Sequence, residues 1–275
     1  MIKLDIFDKR ILERLLNDSR EPVTSISKAI RLRRENVDYR IKRMVKNGLI
    51  REFNTLIDEK RLGIKHYVIF MQLIKLKENT ENELITYLKE NKYITWVGPA
   101  AGKWSLIFDI VLPKNIEIDD IFRILFSKFN DYIGEYVLLN LKVGDFFDFK
   151  PFNLLKPNPI RDIKNKEIIL DEKDKVILSM LNENSRVNYA DIAEKVKMTA
   201  NGIVNRVKQL RNSGIIKRYT ISIDWRKLDY EWYGLQFNLI KFSEKSEERL
   251  IDFLKLHKKV IFYYKYLGGA WNYDI

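Results

Sequence analysis

Arg33, Arg34, Asn36, Tyr39, Arg40 and Arg43 surround the apolar positions Val37, Ile41 and Met44. Those three apolar residues fall at i, i+4 and i+7, so a helix would turn them inward and carry the polar six on or beside its outer face. Arginine forks onto the edge of guanine, asparagine pairs with adenine, and lysine mostly serves phosphate. The chemistry on offer is therefore recognition of a nucleic acid in the major groove, not bond-making. A second set of the same kind, Asn201, Asn205, Arg206 and Lys208, surrounds Ile203, Val207 and Leu210. Arg40 and Arg206 are the least specific members, since bracing the fold or touching phosphate suits them as well as a base does.

The two sets are copies. Leu4-Asp5 and Asp8 return as Leu170-Asp171 and Asp174, Ser19-Arg20 as Ser185-Arg186, Arg40 as Arg206, Gly48 as Gly214 and Ile57-Asp58 as Ile223-Asp224, all at an offset of 166 residues. Solenoid repeats run about 20–50 residues, so this period marks a duplicated domain.

Charge follows the duplication. Residues 28–51 hold nine Lys/Arg against two acids and residues 194–217 six against one; the resulting +7 and +5 equal the whole net charge of +12. A general basic bias would not leave the remainder neutral, so the two segments read as two footprints for a polyanion. With no cysteine, disulfides and thiolate metal sites are excluded, and His66 and His257 offer little for a zinc site or a histidine relay. No cofactor is called for. The N-terminus lacks the apolar core of a signal peptide and no apolar run is long enough for a membrane span, so the expectation is a soluble, cytoplasmic chain without membrane contact.

The elements that must position these residues follow from periodicity. Ile11, Leu12 and Leu15 mark a first helix, Ile26, Ala29 and Ile30 a second, and the basic segment a third; Ile177, Leu178 and Leu181, then Ile192, Ala193 and Val196, repeat the first two. Gly48 and Gly214 stand where a helix ends in a left-handed residue, and alternating strand-like segments, Leu49 to Ile57 and Ile215 to Ile223, follow. Three helices and a strand in so short a unit predict a winged helix-turn-helix. Thr199 can cap the third helix of the second copy, whereas Arg33 cannot cap its equivalent, a difference of ~1 kcal/mol. Gly202 inside the capped helix costs roughly 1 kcal/mol against alanine.

Residues 65–144 change rhythm. Strand-like Tyr67 to Leu76, helical Glu81 to Asn91, strands at Tyr93 to Val97 and Trp104 to Leu112, a helix through Ile118 to Phe129 and a strand Ile133 to Val143 predict a βαββαβ, ferredoxin-like domain. Residues 145–168 hold Phe146, Phe147, Phe149 and Phe152, whose rings are expected to pack back on the sheet, and Pro151, Pro157 and Pro159, which suit a semi-rigid connector. The expected organisation is α+β: a winged helix-turn-helix at 1–60, a ferredoxin-like domain at 61–144, a linker at 145–168, a second helix-turn-helix at 169–226 and a partial second ferredoxin-like domain at 227–275. That last segment stops inside its third strand, at Trp271 to Ile275, which points to a truncated product.

Leu4-Asp5, Asp8, Ser19-Arg20, Arg40, Gly48-Leu49-Ile50 and Ile57-Asp58, their second-copy equivalents, and Gly102-Lys103-Trp104 with Gly269-Ala270-Trp271 carry a resemblance to the Lrp/AsnC family of transcription regulators. The resemblance spans nearly the whole chain. It implies binding to double-stranded DNA, self-association through the sheet domains, and an amino-acid effector near Gly102, Trp104, Gly269 and Trp271. The family commonly places an acid after the glycine and aromatic, where this chain has Ser105 and Asn272, and its members generally have one copy of each domain.

The leading expectation is a sequence-specific DNA-binding regulator working as a covalent pseudo-dimer, its two reading helices about 34 Å apart, and not an enzyme. A second comes from tetrapyrrole decarboxylases that resemble the same family; such chemistry needs a cationic, histidine-lined pocket, and His66 and His257 do not occupy matching positions. A third is an architectural chromatin protein of low specificity, which only the ratio of specific to non-specific affinity separates from a regulator.

Overall fold

The structure is a computed structural model that describes residues 2–75, 78–146, 169–240, 243–257, 259–269 and 271–275. Helix α1 (Ile6–Asn17) starts from a reciprocal cap: Asp8 donates its amide to the Asp5 carboxylate at 2.8 Å, and Asp8 accepts the Asp5 amide in return. After α2 (Val23–Ile30) comes α3 (Arg34–Lys46), which closes at Gly48 with φ +65°, a conformation open to glycine at little cost. Strand β1 (Ile50–Ile57) follows. Ile11, Leu12, Leu15, Ile26, Ile30, Val37, Ile41 and Met44 are buried together. Ala29, expected among them, is exposed; in the second copy Ala193 is buried, but it aligns with Ser27.

A 3-10 turn (Glu59–Leu62) leads to β2 (Lys65–Leu73), α4 (Glu78–Glu90), β3 (Ile94–Pro99), β4 (Leu106–Leu112), α5 (Ile118–Phe129) and β5 (Ile133–Phe146). The second copy supplies α6 (Glu172–Glu183), α7 (Tyr189–Val196), α8 (Ala200–Asn212) and β6 (Ile216–Ile223), then β7 (Gln236–Phe237), α9 (Glu244–Leu256), β8 (Phe262–Leu267) and β9 (Tyr273–Asp274). Residues 147–168, including the expected connector and Phe147, Phe149 and Phe152, lie outside the described residues. The chain forms two compact units, one from both helix-turn-helix segments and one from both sheet segments, with breaks after Asp58 and Tyr233.

In the first unit β1 pairs antiparallel with β6, Phe53 opposite Ile221 and Thr55 opposite Tyr219. A single wing strand would leave an unpaired edge; each copy here covers the other's. The surrounding contacts come in images displaced by 166 residues. The Ser19 amide donates to the Tyr219 carbonyl at 3.2 Å and the Ser185 amide to the Phe53 carbonyl at 2.7 Å. Arg51 pairs with Asp224 at 2.6 Å and Lys217 with Asp58 at 3.8 Å. On the pseudo-two-fold axis the Ser19 and Ser185 hydroxyls meet at 2.6 Å, both fully buried. The joint is isologous, as in a two-fold dimer, within one chain.

The second unit is a seven-stranded sheet in the order β3-β4-β2-β5-β8-β9-β7. Its first four strands have the expected split βαββαβ order. One face is covered by α4 and α5 around Ile69, Met71, Phe108 and Ile110. On the other, Val68, Phe70, Leu139 and Tyr266 are buried with Trp104 and Trp271 packed against them. Strand β5 runs on past its domain and pairs with β8 from Asn140–Leu267 to Phe146–Phe262. The partial second copy keeps the register of the first: Gln236 faces Asp274 as Phe70 faces Ile107. Among the described residues no counterpart of α5 or β5 follows β9. Tyr87 of α4 packs on Phe129 of α5 with centroids 5.6 Å apart, whereas its repeat equivalent Phe253 is 61% exposed.

Candidate nucleic-acid interface

Helix α3 presents Arg33, Arg34, Asn36 and Tyr39 to solvent while Val37, Ile41 and Met44 are buried; Tyr39 is 65% exposed. Helix α8 does the same with Asn201, Asn205 and Lys208 outside and Ile203, Val207 and Leu210 inside. Neither Arg33 nor Arg34 has an ion-pair partner among the described residues. The two N-termini differ as their sequences require. Thr199 accepts the Gly202 amide at 3.1 Å, whereas Arg33 makes no side-chain cap. A Cβ on Gly202 would stand 3.1 Å from the Met198 methyl and 3.2 Å from the Thr199 hydroxyl, so the glycine keeps the capping oxygen uncrowded.

Arg40, Arg43 and Arg206 differ from the outward set in being engaged by carboxylates of the fold. Arg40 donates to Asp5 at 2.7 Å and Asp8 at 2.8 Å, and Arg43 donates to Asp8 at 2.8 Å. Arg206 repeats this on Asp171 and Asp174, both at 2.8 Å. The acids that start α1 and α6 need cations beside them, and α3 and α8 supply these across the packing. Burial pushes the Asp5 carboxyl up, but the Asp8 amide and Arg40 outweigh it and hold it below the usual carboxylate range. At Asp171 the Asp174 amide lowers it first, with Arg206 adding to the effect.

Reading residue types alone also missed Arg20 and Arg186. Arg20 donates to the carbonyls of Ser185 and Val187, and Arg186 to that of Ser19, across the pseudo-two-fold axis. Their guanidiniums lie 4.2 Å over the Tyr189 ring and 4.8 Å over the Phe53 ring. The signal was the repeated Ser-Arg pair, whose meaning required knowing that the copies touch.

An AsnC-type helix-turn-helix domain matches residues 4–45 and a winged helix-turn-helix DNA-binding domain matches residues 170–217. The HTH-type transcriptional regulator LrpB of Bacillus subtilis is 37% identical over 101 residues, 37% of this chain and 66% of LrpB. LrpC of the same organism is 30% identical over 104 residues, 37% of this chain and 69% of LrpC. The chain belongs to the Lrp/AsnC family of helix-turn-helix transcription regulators. It spans 42% and 66% of the first two curated relatives it matches. The fold of this Lrp/AsnC chain is also that of the siroheme decarboxylase NirDL, with a TM-score of 0.63 and 15% identity over 98% of this chain and 80% of that one. At such identity the likeness is one of fold.

In the Lrp/AsnC sheet unit the two Gly-x-Trp turns converge. Gly102 and Gly269 take φ +106° and +93°, and the Trp104 and Trp271 rings lie 6.2 Å apart over Phe70. A Cβ on Gly269 would come within 2.1 Å of the Leu139 side chain, so that turn requires glycine.

On the same unit His66 sits between two carboxylates, Nδ1 at 2.8 Å from Glu59 and Nε2 at 3.4 Å from Asp109, the latter an ion-pair distance rather than a made hydrogen bond. Burial opposes the imidazolium, yet Asp109 and Glu59 prevail and raise its pKa from 6.5 to about 9. Because the folded pKa lies above the free one, this stabilisation is complete below pH 6.5 and is lost as pH rises through about 9. Between about pH 6 and about pH 10 the wild type is expected to lose about 3 kcal/mol more than His66→Gln does. Denaturant midpoints of the two proteins across that range check it; parallel curves would show that His66 carries no such charge.

No helix among the described residues is long and apolar enough to cross a membrane.

Proposed function

We propose that this Lrp/AsnC chain is a sequence-specific regulator of double-stranded DNA that works as a covalent pseudo-dimer, without catalytic activity. One observation carries the reading: two helix-turn-helix copies are joined about a pseudo-two-fold axis through β1 and β6, as two half-sites on a duplex require. The reading helices expose unlike sets, Arg33, Arg34, Asn36 and Tyr39 against Asn201, Asn205 and Lys208, so the half-sites differ in sequence. With a selected operator, Arg34→Ala and Asn205→Ala should each weaken binding about 10-fold or more at their own half only. Footprints of the two variants on operators mutated in either half read this out. Identical patterns, or affinity for the operator no higher than for random duplex, would sink the reading; the latter would favour an architectural protein.

Self-association through the sheet unit and a small effector at Gly102, Trp104, Gly269 and Trp271 belong to the same proposal. The effector is supported by the Trp271 indole nitrogen, buried with no hydrogen-bond partner, although both indoles serve as packing.

A second reading, a tetrapyrrole decarboxylase, is favoured by the fold shared with NirDL over nearly the whole chain. Against it stands the charge at His66: Glu59 and Asp109 outnumber the imidazolium, and a carboxylate-bearing tetrapyrrole would meet negative groups there. Titration with an iron porphyrin bearing carboxylates, followed by its visible absorbance, separates the two readings. Stoichiometric uptake without duplex binding selects the enzyme.

A further inference from the structure

Three positions that are basic in both copies are taken up by the fold: Arg20 with Arg186, Arg40 with Arg206, and Arg51 with Lys217 all brace it. Arg31 and Lys197, also equivalent, do not. Both are exposed, and neither side chain has a hydrogen bond or ion pair among the described residues. Each occupies the turn between the two helices of its motif, two residues before the cap of the outward-facing helix.

Their backbones add the decisive point. Arg31 has φ +56° and ψ +47°, and Lys197 φ +53° and ψ +57°, the left-handed region that glycine fills without strain. The closing hydrogen bonds explain the turn: Arg31 donates its amide to Ser27 and Lys197 to Ala193, which ends α2 and α7. They do not explain the residue. Glycine would make the same bonds unstrained, yet both copies keep a long cation there. Among the described residues the other non-glycine residues with positive φ are Lys75 and Asp229; Asp229 answers to Gly63, φ +66°, so among them only Arg31 and Lys197 keep a side chain at such a position in both copies.

We propose that Arg31 and Lys197 are phosphate clamps, one per half-site, placed by the left-handed turn to reach the DNA backbone beside the groove that the following helix enters. This rests on the DNA-binding reading above. Cations at this place add affinity without reading sequence, because phosphates are the same in every base pair. Strain within the fold is then retained for an interaction outside it.

The double variant Arg31→Gly/Lys197→Gly, made in the full chain, separates the two roles. Its thermal midpoint should rise, because the strain is released. Its affinity for duplex DNA should fall at low salt, and the slope of log affinity against log salt should become shallower by about 1.8, roughly 0.9 for each phosphate no longer neutralised. The exchange Arg31→Lys/Lys197→Arg should leave the slope unchanged. If the wild type binds duplex and the glycine variant keeps its slope, or melts lower, the clamp is wrong and the regulator stands. If the wild type binds no duplex at any salt, the regulator reading itself fails and takes the clamp with it.

Discussion

Asp8→Ala lowers the stability of the helix-turn-helix unit by about 4 kcal/mol, the cost of removing one partner from a buried charge cluster. Asp8 is 1% exposed and accepts from Arg40 and Arg43 while closing the cap of α1. Without it Arg43 loses its carboxylate, Arg40 keeps only Asp5, and the Asp5 amide loses its acceptor. The matching Asp174→Ala should cost about half as much, since it removes the partner of one arginine rather than two and the carboxylate is less deeply buried. Asp174 is 14% exposed at its side chain and holds Arg206 alone, because Gln209 stands where Arg43 does in the first copy. Urea unfolding of both variants gives the comparison. Equal losses would mean that the second arginine contributes nothing.

Phe70→Ala should cost the sheet unit a similar amount, about 4 kcal/mol, as large-to-small changes in a packed core do. Phe70 is 1% exposed and meets the Trp271 ring edge-on at 5.0 Å and the Trp104 ring at 6.3 Å. The change would leave both indoles beside a void and shift tryptophan emission to the red. Phe70→Leu should cost under about 1.5 kcal/mol and shift the emission less. An alanine variant with wild-type emission and midpoint would show that the rings do not depend on this packing.

Much of this architecture was legible before any coordinate. The i, i+4, i+7 spacing of Val37, Ile41 and Met44 placed α3 and its outer face, and the alternation of residues 65–144 gave each strand and helix within a few positions. Local rules sufficed because each signal lies inside one element. Three features were not legible, for one shared reason. The pairing of β1 with β6, the pairing of the extended β5 with β8, and the clasp of Arg40 on Asp5 and Asp8 all join residues far apart in sequence. Strand alternation identifies a strand without identifying its neighbour. Arginine likewise announces a cation, while its acid lies 32 residues away on another helix.

The non-identical outer faces of α3 and α8, tied together in one polypeptide, have a geometric corollary. A homodimer on a palindrome looks the same from either end, so it marks a place on the genome but no direction. Two unlike readers on one chain fit their operator one way round. Each bound molecule would then point an arrow along the duplex, and whatever it recruits or blocks would lie always on the same side.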